Sequence, residues 1–228
     1  MTQRDEFLAK VRAAAHSGRA YRVHSSGPAP SNAGYVGGGT DLCRRLADEV
    51  NAVGGFAQVV MTEAEAADAL SALLRAYSAR RTLCWRHPLL ERIGLDASLA
   101  ALGIESLSHA ELAALSPAER QAAMLAADVG VTSATYAIAE TGSLAMASGP
   151  GTERAASLLP PVHIAVVERS QILPDLFDLF AKLDAAGGAK IATNLTLITG
   201  PSKTGDIELQ LTTGVHGPGK WHVLVGAW

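Results

Sequence analysis

The stretch Ala192-Thr193-Asn194-Leu195-Thr196-Leu197-Ile198-Thr199-Gly200-Pro201-Ser202-Lys203-Thr204-Gly205-Asp206-Ile207-Glu208 decides how the chain is read. Its first half sets apolar Leu195, Leu197 and Ile198 among threonines, a mixture that suits a strand. Gly200-Pro201 ends that strand, because proline lacks the amide that a ladder needs. Ser202, Lys203 and Thr204 then place hydroxyls and a cation ahead of Asp206 and Glu208, the order expected at a helix start. A strand that hands such a loop to a helix N-terminus turns backbone N–H groups and a positive dipole end toward an anion. The plainer reading is a well-capped strand-to-helix turn with no ligand, and both stay open on sequence grounds.

Outward from this stretch the same alternation fills the chain. Residues 3–16 read as an amphipathic helix, with Phe7, Leu8 and Val11 on one side. Residues 41–53 return to helical period and stop at Gly54-Gly55, and 56–60 form a short buried strand. Thr62-Glu63-Ala64-Glu65 has the spacing of a capping box and opens a helix to about residue 80. Strands follow at 81–85, 104–107 and 129–132, separated by helices over 88–102, interrupted at Gly94, and from Ser116-Pro117 to about 127. Further strands fall at 143–147, 162–168 and 221–225. Leu173, Leu176, Phe177, Phe180 and Leu183 have helical spacing, with Asp175, Asp178 and Lys182 on the outside. Helices alternating with strands over the whole length predict an α/β fold with a mostly parallel sheet covered on both faces.

The 228 residues suit one large domain with an appendage, and 48% hydrophobic content supplies a substantial core. Aromatics are only 5%, so Ala, Leu and Val must do the packing. Residues 17–39 shift to Gly, Ser, Pro and Asn and end in three glycines, which makes 1–39 an arm and 40–228 the main α/β domain. The three glycines stand where a helix begins, so this loop is expected to close over a cleft. Net charge is −3 with no long basic run, which argues against a nucleic-acid binder. No apolar run is long enough to span a bilayer, and Met1–Lys10 has no apolar signal core, so a cytoplasmic location is expected. Cys43 and Cys84 lie in separate elements without a C-x-x-C pair and fall short of the ligand set of a structural zinc or an iron–sulfur cluster.

Two further segments carry candidate chemistry. Gly214-Val215-His216-Gly217-Pro218-Gly219-Lys220 imitates the first part of a phosphate loop, but Trp221 stands where a hydroxyl must reach magnesium, no strand precedes Gly214, and too little chain follows for a helix. Tyr136-Ala137-Ile138-Ala139-Glu140-Thr141-Gly142-Ser143 sets a lone Glu140 between an apolar run and Thr141, Gly142 and Ser143, at an expected helix-to-strand junction. There, partly desolvated beside backbone donors, Glu140 is a candidate nucleophile or general base. The plainer reading has it pairing with an arginine or capping backbone. His216, in a Val-His-Gly-Pro turn, is a candidate anion donor. The other histidines are scattered without ligand-like spacing, so no metal is expected.

Residues 128–143 and 198–208, followed by Gly214-Val215-His216-Gly217-Pro218, resemble the lactate-utilization (LUD) domain family over roughly 40–228. Gly205 departs from the alanine usual in that family. The resemblance implies a three-layer α/β/α fold akin to the sugar-phosphate isomerase and CoA-transferase group. It further implies a non-redox subunit acting beside iron–sulfur partner proteins that oxidise L-lactate to pyruvate, with no cofactor bound by this chain. A small anion would lie in a cleft formed by Thr141, Gly142, Ser143, Gly200, Ser202, Lys203, Thr204, Asp206 and His216. The alternative is a free-standing enzyme of CoA-transferase or sugar-phosphate isomerase type that uses Glu140, since Glu140-Thr141-Gly142 resembles the catalytic Glu-x-Gly segment of CoA-transferases.

Overall fold

The computed structural model describes residues 3–18, 37–107, 109–187, 192, 194–205 and 211–228. The chain divides into a unit of residues 1–36 and one of residues 37–228. The first unit contributes helix α1 (Gln3–Gly18), whose first turn carries Asp5 and Glu6 at the positive end of the dipole. Most of the loop expected over 17–39 lies outside the described residues.

The second unit opens with Asp41, whose carboxylate caps α2 (Leu42–Ala52) by accepting from the Arg44 N–H at 3.1 Å. Next come β1 (Phe56–Val60), α3 (Glu63–Ala76), β2 (Arg81–Cys84), α4 (Pro88–Arg92), α5 (Leu95–Leu102) and β3 (Glu105–Leu107). Thr62 caps α3 as read, but Glu65 reaches back to the Met61 N–H rather than to that of Thr62. Gly94, at φ 70°, divides α4 from α5. After α6 (His109–Ala114), α7 (Pro117–Leu125) starts in the reciprocal Ser116/Glu119 capping box that its sequence announced. Then follow β4 (Val129–Thr132), β5 (Tyr136–Ile138), β6 (Ser143–Ala147), α8 (Ala155–Leu158), β7 (Val162–Glu168), β8 (Ile172–Leu173) and α9 (Leu176–Ala186). The chain ends with β9 (Leu195–Ile198), β10 (Lys203–Gly205), β11 (Leu211–Thr213) and β12 (Lys220–Gly226).

Six strands form a wholly parallel sheet in the order β1-β12-β7-β4-β2-β3. Its inner strands β7 and β12 are nearly all buried, as strands covered on both faces must be. One face meets α3, whose C-cap Tyr77 hydroxyl lies 2.7 Å from His222 Nε2. The other face is covered by α2 and α8. There Gly130, His163 and Trp221 are directly opposite one another on β4, β7 and β12, and Gly55 lies against the indole at the far end. A Cβ on Gly55 would stand 2.6 Å from Trp221, and one on Gly130 would collide with the Ala156 carbonyl of α8. Two large rings flanked by two glycines let both helices sit directly on the sheet.

The strands not in this sheet go elsewhere. β8-β5-β6-β9 make a mixed four-stranded sheet, and β10 pairs antiparallel with β11. Several sequence expectations change accordingly. Lys203–Gly205 is a strand, because Lys203, Thr204 and Gly205 pair antiparallel with Thr213, Thr212 and Leu211, and the helix start expected after it lies outside the described residues. Asp206 and Glu208 lie outside the described residues. A strand, β11, does precede Gly214, and Lys220 leads into β12 rather than a helix. Glu140 sits in the turn of the β5–β6 hairpin, not after a helix. β1 is a strand at the sheet edge rather than a buried one, so Phe56 is 51% exposed and stacks on His222 at 5.0 Å. Leu173 ends β8, and α9 begins later because buried Asp175 caps it, accepting from the Phe177 and Asp178 N–H groups. That start turns Leu179 inward and leaves Phe177 69% and Phe180 58% exposed.

Candidate functional site

The loop leaving β9 is shaped by local necessities. Gly200 adopts φ 83°, and a Cβ there would lie 2.9 Å from the Val53 carbonyl oxygen, so both conformation and space demand glycine. Ser202 N–H donates to the Pro218 carbonyl at 2.9 Å, and Gly214 N–H donates to the Ser202 carbonyl at 2.9 Å. These bonds fasten the 200–202 turn to the 214–218 turn and leave a cavity of about 280 Å³ beneath them. Thr199, Gly200, Ser202 and His216 are among the residues that line it. His163 and Trp221 line it from the amino-end half of the parallel sheet.

The turn at Glu140 lies beside this one but outside the cavity lining. Gly142, at φ 64°, packs onto α2, where a Cβ would meet the Val50 nitrogen at 2.6 Å. Glu140 N–H donates to the Pro174 carbonyl, and its Oε1 accepts from the Gly37 N–H at 3.3 Å. A chain of hydroxyls ties this turn to the late strand: Thr141 Oγ1 lies 2.7 Å from Ser143 Oγ, which lies 2.6 Å from Thr199 Oγ1. The two turns therefore share one end of the four-stranded sheet. Glu140, Thr141, Gly142 and Ser143 are nevertheless not among the residues that line the cavity. Lys203 is engaged elsewhere, its Nζ donating to the Val53 carbonyl at the C-cap of α2 over 2.6 Å. Thr204 lies in β10, opposite Thr212.

The sequence reading missed a second hollow, of about 390 Å³, at the carboxyl ends of β2, β4 and β7, where open parallel sheets usually hold their ligands. His87, Arg92, Thr135, Thr152, Glu168 and Gln171 line it. Arg92 of α4 donates from Nε to Glu63 at 2.8 Å and from a terminal nitrogen to Glu168 at 2.5 Å. The guanidinium holds the Glu168 carboxyl below its ordinary pKa. His87 caps α4, its Nδ1 accepting from the Leu89 N–H, and burial lowers its pKa. Gln171 bonds to Ser133 and to the Ala134 carbonyl, and accepts from the Glu168 N–H. These residues come from three separate strand ends, so no local spacing gathers them. The one readable trace is His87-Pro88, a cap followed by a proline at the first helical position.

Compared with known proteins, residues 43–225 match the LUD domain. The chain belongs to the LUD-domain family. Among LUD-domain relatives, lactate utilization protein C of Halalkalibacterium halodurans is 36% identical over 152 residues, 66% of this chain and 64% of that one. Lactate utilization protein C of Macrococcus caseolyticus is 30% identical over 188 residues, 78% of this chain and 68% of that one. The chain thus spans about two thirds of the length of these relatives. A DUF162 family protein from Deinococcus radiodurans has the same fold, with a TM-score of 0.54 and 23% identity over 81% of this chain and 95% of that one. The LUD match takes in both hollows and both turns, and no helix among the described residues is long and apolar enough to cross a membrane.

Proposed function

We propose that this LUD-domain chain serves lactate utilization as a subunit without a redox centre of its own, beside iron–sulfur partner proteins that oxidise L-lactate to pyruvate. The observation that carries the reading is the LUD match over 43–225, together with two relatives at 30% identity or more that bear the lactate utilization name. The thiols support it. Only Cys43 and Cys84 are present, on α2 and at the end of β2, and burial raises the pKa of both, which disfavours the thiolate that a cluster ligand must be. A small anion taken up at the cavity mouth by Ser202 and His216 belongs to the same reading.

The test is affinity capture of the tagged full chain from host cells grown anaerobically on L-lactate. Co-purification of iron–sulfur proteins, and loss of growth on L-lactate when the gene is deleted, are the expected results. A deletion strain that grows normally on L-lactate, from a chain that captures no such proteins, would sink the proposal.

A further inference from the structure

The hollow at the carboxyl ends of the parallel sheet stands where the connections of that sheet diverge. β2 and β4 are parallel neighbours. From β2 the chain runs outward to β3, whereas from β4 it runs the other way, through β5 and β6, to β7. At such a reversal a crevice opens outside the strand ends, and open parallel sheets bind their ligands there. Trp85 and His87 follow β2, Ala134 and Thr135 follow β4, and all four line the hollow of about 390 Å³. Arg92 at the end of α4 and Glu168 at the end of β7 complete it. Connectivity and shape thus select one place independently, and the subunit reading leaves that place unused.

The two ionised side chains of the lining hold one another and still have hydrogen-bonding capacity left. A guanidinium offers five N–H donors, and Arg92 spends one on Glu63 and one on Glu168. A carboxylate has about four lone-pair sites, and Glu168 accepts from Arg92 and from Ser170. The Arg92 side chain is 44% exposed and that of Glu168 20%, so both can be reached from solvent. Their ion pair sets them side by side before anything binds, which lowers the cost of ordering them. Burial lowers the pKa of His87, so that ring adds no charge near pH 7. An anion entering here meets the carboxylates of Glu63 and Glu168, and a cation meets Arg92, so a ligand of either sign faces a like charge. A hydroxyl needs no charge and both donates and accepts. Trp85, Pro88 and Leu89 give the carbon skeleton an apolar wall. We propose that this hollow binds a small uncharged molecule of the vicinal-diol class, one hydroxyl donating to the Glu168 carboxylate and its neighbour accepting from the Arg92 guanidinium.

Erythritol, erythronate and butane-1,4-diol share a chain of carbons, but the second carries a carboxylate and the third lacks adjacent hydroxyls. In the full ¹⁵N-labelled chain, the indole N–H signals of Trp85, which lines this hollow, and Trp221, which lines the other, are followed during titration with each probe. Erythritol should move the Trp85 signal saturably and leave that of Trp221 in place. Erythronate and butane-1,4-diol should each bind at least fivefold more weakly. Glu168→Gln removes the carboxylate at nearly constant size, and Arg92→Gln removes the guanidinium; each should weaken erythritol binding roughly fivefold to tenfold. The wild-type titrations decide the matter even if a variant does not fold. A Trp85 signal unmoved by erythritol overturns the proposal. So does either control binding as tightly as erythritol, or erythritol binding indifferent to both substitutions. None of these readouts involves lactate or partner capture, so this proposal and the subunit reading fail separately.

Discussion

The two hollows at opposite ends of the parallel sheet differ in what their polar groups have already found. At the carboxyl ends, Arg92, Glu168, His87 and Gln171 each hold a protein partner, so the charges there clamp α3, α4 and β7 together. At the amino ends, among the described residues, no Asp, Glu, Lys or Arg lines the cavity, and the fully buried His163 and Trp221 each keep a ring nitrogen without a partner. The usual rule for parallel sheets favours the first location. The lesson is that a charged cleft can have its polar groups satisfied from within, whereas a neutral, tightly packed region can carry unmet ones.

The largest effect should come from Gly130→Ala, since the added methyl meets the Ala156 carbonyl and must push α8, with Ser157 and Leu158, off the cavity wall. A loss of about 3 kcal/mol in chemical denaturation is expected. A variant as stable as wild type would mean that α8 is not seated on this row, and the contrast between the hollows would lose one side.

Acid should separate the two ends next. His163 has a folded pKa of about 3 against an ordinary 6.5, so the unfolded chain binds more protons between those values and stability falls as pH drops below 6.5. The slope approaches about 1.4 kcal/mol per pH unit for one such group, and His87 and His222, also lowered mainly by burial, add to it. Glu168 acts later. Its depressed carboxyl stabilises the fold above 4.5, and that contribution is lost as pH falls through its folded pKa. Denaturation midpoints from pH 8 to 4 should therefore decline before Glu168 titrates, and His163→Asn should flatten the upper part of the curve. A profile flat down to pH 4.5 would show that the amino-end ring is not held neutral by burial.

The smallest effect belongs to Arg92→Gln. Its side chain is 44% exposed, so losing both ion pairs should cost less than about 1 kcal/mol and cost still less in high salt. A loss several times larger, indifferent to salt, would make the carboxyl-end clamp a buried network instead of a surface one.

Much of the fold was legible because its signals are local. Thr62 and Ser116 cap helices where the sequence placed them, and β7 and β12 read as strands from their apolar runs. The stretch from Ser202 misled because what makes Lys203–Gly205 a strand is Leu211–Thr213 on the far side of a hairpin, which no capping pattern reveals. The phase of α9 was misjudged for a simpler reason: Phe177 and Phe180 outweighed Asp175 in the reading, while in the fold the cap sets the register. Of the residues read as one cleft, Gly200, Ser202 and His216 do line one cavity. Glu140 joins Gly37, and Lys203 joins Val53, through contacts between distant segments. That His163 and Trp221 stand side by side was not legible, because a histidine or tryptophan inside an apolar strand looks like packing until its neighbours are known.

The glycine beside Trp221 carries a consequence for how such chains diverge. Residues 55 and 221 compete for one volume, since a methyl at the first would sit 2.6 Å from the indole of the second. Related sequences should therefore drift at these two sites in concert, admitting a side chain at 55 only where the ring at 221 has shrunk, and a Gly55→Ala, Trp221→Leu double substitution should be better tolerated than Gly55→Ala alone.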